Sequence, residues 1–98
     1  MKPRVFLTRA MPAPVMKRLI SLFDLTVNPH DRPLSASELI RGVRGQDAMI
    51  PMLSDRVTAR IIASGDRLRV IANYAAGYNN IDLPAAASRG IVVTNTPG

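Results

Sequence analysis

Ninety-eight residues, 47% of them hydrophobic at a mean hydropathy of +0.09, give a globular chain with one domain's core, too short for two domains and too apolar for disorder. The absence of cysteine excludes a disulfide scaffold and thiolate metal sites and fits a reducing cytoplasm; no apolar run reaches the roughly 18 residues of a membrane helix, and the start, with Lys2, Arg4 and Arg9, lacks a signal-peptide core. The net charge of +6, from 13 basic and 7 acidic residues, is spread along the chain with no aromatic residues interleaved, which argues against nucleic acid and for a basic solvated surface.

Val5, Phe6, Leu7 and Thr8 open the chain as a short apolar strand. Pro12 and Pro14 then start a helix, where a missing N–H costs nothing, and Val15, Met16, Leu19, Ile20 and Phe23 recur at the spacing of a buried stripe. Residues 24–28 alternate as a half-exposed strand, and residues 29–33, flanked by prolines, form a loop. Ser35 and Glu38 make a capping box ahead of Leu39, Ile40 and Val43, with Gly42 and Gly45 bracketing the end of that helix. Residues 48–50 are a third strand. Ser54 or Asp55 caps the next helix, whose inner face is Val57, Ile61 and Ile62, with Gly65 suited to a left-handed end. Residues 68–72 form the fourth strand, Asp82 caps a helix over residues 83–89 that Gly90 ends, and residues 91–94 form the fifth.

Five strands alternating with short helices predict an α/β, three-layer domain: a parallel sheet with helices on both faces. Right-handed crossovers favour the flavodoxin-like order 2-1-3-4-5. In such sheets ligands gather at the carboxyl ends of the strands. The loop after the fourth strand stands out there, because Ala75, Ala76 and Gly77 carry little bulk and leave their backbone N–H groups open to a planar carboxylate. The residues alone also allow a plain tight turn. Leu53, after the third strand, reads from the residues alone as a staple at the start of the next helix. Tyr74 reads as a ring over a ligand or as a packing residue with a wet hydroxyl.

His30, the only histidine, would be a natural proton donor, but its proline-flanked loop follows the second strand, away from Ala76 and Gly77. No G-x-G-x-x-G occurs, so no cofactor-binding residues are assigned, and no catalytic or metal-ligating ones either. A phosphoacceptor receiver needs an aspartate ending the third strand, where Met49, Ile50 and Pro51 stand. A flavodoxin needs a hydroxyl- and glycine-rich phosphate loop after the first, where Pro12 and Pro14 remove donors.

The stretch Tyr74-Ala75-Ala76-Gly77-Tyr78-Asn79-Asn80-Ile81-Asp82, followed by Thr94-Asn95-Thr96-Pro97-Gly98, resembles the NAD(P)-dependent D-2-hydroxyacid dehydrogenases, especially the glyoxylate and hydroxypyruvate reductases. The resemblance implies that residues 1–98 are the substrate-binding domain of a two-domain enzyme, with the Rossmann cofactor domain absent from this chain. It implies reduction of small 2-oxo acids by NADPH or NADH and inactivity of the 98 residues alone, while the composition leads to the expectation of a cytoplasmic protein. The substrate carboxylate would rest on the N–H groups of Ala76 and Gly77, with Leu53 and Tyr74 beside it. The parent is expected to be a homodimer formed largely through the absent domain, and the fragment to self-associate through surface exposed by truncation. Asn79 stands where the family often has aspartate, and Ala76 where it often has valine. A free-standing flavodoxin-like binding or interaction domain is the alternative.

Overall fold

A parallel five-stranded sheet in the order β2-β1-β3-β4-β5 organises the computed structural model, which describes residues 2–96. The elements are β1 (Arg4–Leu7), α1 (Ala13–Leu22), β2 (Asp24–Val27), α2 (Ala36–Val43), β3 (Ala48–Ile50), α3 (Ala59–Ser64), β4 (Val70–Asn73), α4 (Leu83–Ser88) and β5 (Val92–Asn95). This is the strand order expected from the alternation of elements. Pro97 and Gly98, the end of the second motif, lie outside the described residues.

The two sheet faces differ. Phe6, Met49 and Ile71, at matching positions of β1, β3 and β4, pack with Leu39, Val43, Ile61, Ile62 and Ala86 from α2, α3 and α4 into one core cluster. The other row, Ala48, Ile50, Val70 and Ala72, lines an open hollow of about 750 Å³ together with Phe23. Among the described residues, α1 is the one helix on this face, where it contacts β2. The expected buried stripe of α1 is therefore not buried: Val15 and Ile20 are exposed, while Met16, Leu19 and Phe23 are half-covered. A helical apolar face needs a second surface to close over it, and here it meets only a sheet margin.

Local signals place most element ends. Ser35 accepts from the Glu38 N–H while Glu38 accepts from the Ser35 N–H at 2.9 Å, so both halves of the capping box form. Gly42 falls inside α2, where a Cβ would sit 2.3 Å from the Phe6 ring; close packing of helix on strand requires glycine there. Gly90 ends α4 at φ +68, whereas Gly65 has φ −80 and is needed for space, because a Cβ would lie 2.8 Å from that of Leu68.

The Arg32 guanidinium, bonded to Glu38 at 2.9 Å, together with the Ser35 N–H, holds the Glu38 carboxyl well below the usual carboxylate range. A depressed folded pKa contributes stability that is fully present above the unfolded value, about 4.3, and lost as pH falls through the folded one. Between about pH 5 and pH 2 the wild type is thus expected to lose stability relative to Glu38→Gln, read from urea midpoints. Parallel pH profiles for the two proteins would show that this carboxylate does not hold the start of α2.

Candidate functional site

Beyond the ends of β3 and β4 the two chains stay side by side. The Tyr74 N–H donates to the Pro51 carbonyl at 2.9 Å, and Met52 and Tyr74 form a parallel bridge. The loop carrying Leu53 and the loop carrying Ala76 and Gly77 thus begin as neighbours at the carboxyl edge of the sheet, where α/β folds place ligands.

The first loop is built around Asp55. This carboxylate, 3% exposed, accepts from the Met52 N–H at 2.8 Å and from the Thr8 hydroxyl at the end of β1. Neither it nor Ser54 caps α3, contrary to expectation. The cap is Thr58, whose hydroxyl oxygen accepts from the Ile61 N–H. The cause is non-local: Val57 bridges Ile81, donating to the Asn80 carbonyl at 2.8 Å and accepting from the Asp82 N–H at 3.0 Å. That pairing keeps residue 57 extended, so no helix starts before Thr58. Arg56 lines a hollow of about 240 Å³ with Leu53, Asn79 and Asn80.

The second loop is held by asparagines. Asn73, 1% exposed, donates from Nδ2 to the Gly77 carbonyl at 2.9 Å and to Asn80 Oδ1 at 2.9 Å. Asn80 divides the two hydrogens of its Nδ2 among Asn73 Oδ1 at 3.0 Å and the carbonyls of Met52 at 3.0 Å and Asp55 at 3.1 Å. The amide pair therefore closes one loop and ties it to the other. From β5, Asn95 donates to the Ala76 carbonyl at 3.0 Å and accepts from the Tyr78 hydroxyl at 2.8 Å. Among the described residues, the N–H groups of Ala76 and Gly77 meet no protein acceptor.

Of the expected site residues, Leu53 (65% exposed), Tyr74 (45%), Ala76 and Gly77 all lie at this edge, but the two hollows found there do not unite them. Leu53 lines the smaller one. Tyr74 lines another, about 310 Å³, with Val15, Ile50, Ala72, Thr94 and Asn95. His30 is exposed beyond β2, three strand positions from β4, or roughly 14 Å across the sheet. Its N–H is turned back onto Asn28 Oδ1. Among the described residues no group of three or more histidines or carboxylates converges as metal ligands. N–H groups that meet no acceptor among the described residues, on a loop braced from its carbonyl side, suit holding an anion.

No local sequence pattern marks Asn73, Asn80 and Asn95 as a frame for this loop. The signal the sequence does carry is Asn73 at the end of the apolar fourth strand, where a buried amide must find partners for both donors and its acceptor.

Comparison with known proteins adds a lineage. A family model described as the D-isomer specific 2-hydroxyacid dehydrogenase catalytic domain matches residues 5–98. A glyoxylate reductase of Thermococcus kodakarensis is 44% identical over 97 residues, covering 99% of this chain and 29% of the relative. One of Korarchaeum cryptofilum is 41% identical over 98 residues, covering 100% of this chain and 30% of the relative. Among solved structures, a Polaromonas sp. JS6 66 protein assigned to the NAD-binding D-isomer specific 2-hydroxyacid dehydrogenases superposes with a TM-score of 0.96. It is 31% identical, with 100% of this chain and 31% of that chain covered. The chain thus spans just under a third of each of these proteins.

Proposed function

We infer, from a chain that belongs to the D-isomer specific 2-hydroxyacid dehydrogenase family through its catalytic domain, that residues 1–98 form the substrate-binding domain of a two-domain oxidoreductase. Its substrates are small 2-oxo acids such as glyoxylate or hydroxypyruvate, reduced to D-2-hydroxy acids. The observation that carries this reading is the pair of unengaged N–H groups at Ala76 and Gly77, on a loop whose carbonyls are already taken by Asn95 and Asn73. Each charge-assisted bond to a carboxylate contributes roughly 1.5–3 kcal/mol, and we place the rest of the substrate toward the exposed side chains of Leu53 and Tyr74, which line separate hollows of the same sheet edge.

A nicotinamide, NADH or NADPH, supplies the hydride in such a reduction. The turn after β1 does not fit its pyrophosphate: Pro12 and Pro14 lack donors, and the Thr8 hydroxyl is committed to Asp55. The part we assign to this chain is to bind the carboxylate and orient the oxo group. Among the described residues no helix is long and apolar enough to cross a membrane, and we place the parent enzyme in the cytoplasm as a homodimer joined largely through its cofactor domain.

Titration of the 98-residue chain with glyoxylate is expected to shift the Ala76 and Gly77 amides before any others, at roughly millimolar affinity. Gly77 has no left-handed φ, and a Cβ there would meet nothing within 4 Å. Gly77→Ala should therefore stay within about 0.5 kcal/mol of wild type in stability while weakening glyoxylate several-fold by crowding its approach. Shifts clustered around His30 instead would place the site wrongly. Oxidation of NADH or NADPH with glyoxylate that scales with the 98-residue chain would overturn its assignment as a binding domain alone.

A further inference from the structure

In a trans peptide the carbonyl and the following N–H point in opposite directions, so whatever holds the carbonyl also aims the N–H. No cis bond occurs among the described residues. Three consecutive peptides of the loop are held in this way. The Thr96 N–H donates to the Ala75 carbonyl at 3.1 Å, which aims the Ala76 N–H. Asn95 Nδ2 on the Ala76 carbonyl aims the Gly77 N–H, and Asn73 Nδ2 on the Gly77 carbonyl aims that of Tyr78.

We propose that Asn95 and the Asn73–Asn80 amide pair are positioning residues of the anion cradle, and that the Tyr78 N–H is its third donor. The proposal rests on the carboxylate-binding reading above and goes beyond it in naming what presents the donors and how many there are. Each holding group sits on the carbonyl side of its peptide, leaving the N–H side to a ligand. Asn95 is itself held, since its Oδ1 accepts from the Tyr78 hydroxyl at 2.8 Å. Asn73 spends both of its N–H bonds and its acceptor within the loop and on Asn80, so its amide has no freedom to turn. Because Asn80 also grips the Met52 and Asp55 carbonyls, the Leu53 loop keeps a fixed relation to the donors. Orientation set in advance spares a ligand the cost of ordering the loop.

The test uses oxalate as probe and follows amide shifts in wild type, Asn95→Ala and Tyr78→Phe. In wild type the Ala76, Gly77 and Tyr78 amides should move together. Asn95→Ala, at a partly exposed position of an edge strand, should weaken oxalate roughly five- to tenfold. It should abolish the Gly77 shift and spare that of Ala76, with an unchanged urea midpoint. Tyr78→Phe, which frees Asn95 Oδ1 but leaves the bond to Ala76, should weaken it about twofold. A purely structural asparagine would lose all three shifts together with stability, which would overturn the positioning role. Wild-type binding retained in Asn95→Ala, with the Gly77 shift intact, would also overturn that role and leave the cradle standing. A Tyr78 amide that stays still while its neighbours move would remove the third donor. Amides at 76–78 that ignore oxalate in wild type would sink the cradle and the positioning role together.

Discussion

Asn80→Ala is expected to destabilise the domain by about 3 kcal/mol, a large share of the 5–15 kcal/mol typical of a domain this size. Asn80 is one half of a closed amide pair and, among the described residues, the one side chain that bonds both loops of the site. Its removal leaves Asn73, 1% exposed, with an N–H and an oxygen unpaired, and releases the carbonyls of Met52 and Asp55. Each buried polar group so orphaned costs about 1–3 kcal/mol, and water entering the half-open site offsets part of the total. The melting temperature should fall by roughly 15 °C, from the usual 4–8 °C per kcal/mol for domains of this length.

Asn80→Asp has nearly the same shape but, ionised, donates nothing and faces three oxygen acceptors. At neutral pH it should be no milder than alanine. Those acceptors raise the folded pKa of the new carboxyl, so its protonated form is favoured and part of the loss returns as pH falls toward 4. Urea unfolding at pH 7 and near pH 4 reads both effects. An alanine variant within about 1 kcal/mol of wild type would show that the amide pair is incidental.

Much of the fold was legible because its signals are local. Ser35 and Glu38 lie one helical turn apart, and Asp82 needs only the N–H of Ala85, so the starts of α2 and α4 could be read from adjacent residues. The start of α3 could not. It depends on Val57 meeting Ile81, 24 positions downstream, a pairing no local pattern reports. The stripe on α1 has the right period yet stays open, because periodicity marks an apolar face without saying what covers it. Positions at the site divide along the same line. The small residues at 75–77 mark an approachable backbone in the sequence itself. What braces that backbone arrives from Asn95, and the amide pair reaches back to Met52 and Asp55. Asparagine at a strand end reads locally as a turn former; only the parallel stacking of β3, β4 and β5 turns these three into a frame.

The open sheet face predicts self-association of the 98-residue chain that strengthens with salt. Ala48, Val70 and Val92 lie in one row across β3, β4 and β5, with Ile50 and Ala72 beside them, and Val92 is 58% exposed. Around the hollow stand Lys2, Arg4, Arg67 and Arg69 with Asp47, and Asp24 pairs with Arg4 at 3.9 Å, which leaves the rim basic. A two-fold pairing sets this surface against its own copy, so the apolar floor gains by burial while the basic rim meets a like rim. Raising salt from about 0.05 M to 0.5 M shortens the screening length to a few ångströms, which weakens the repulsion and leaves the hydrophobic gain in place. Sedimentation over a concentration series should show dimers that tighten several-fold over that range. Val92→Lys, on the edge strand where a charge is tolerated, should weaken them at least tenfold without lowering the melting temperature by more than a few degrees. Association that weakens with salt, or that ignores Val92→Lys, would place the contact elsewhere, and a monomer at millimolar concentration in 0.5 M salt would show that this face is self-sufficient in water.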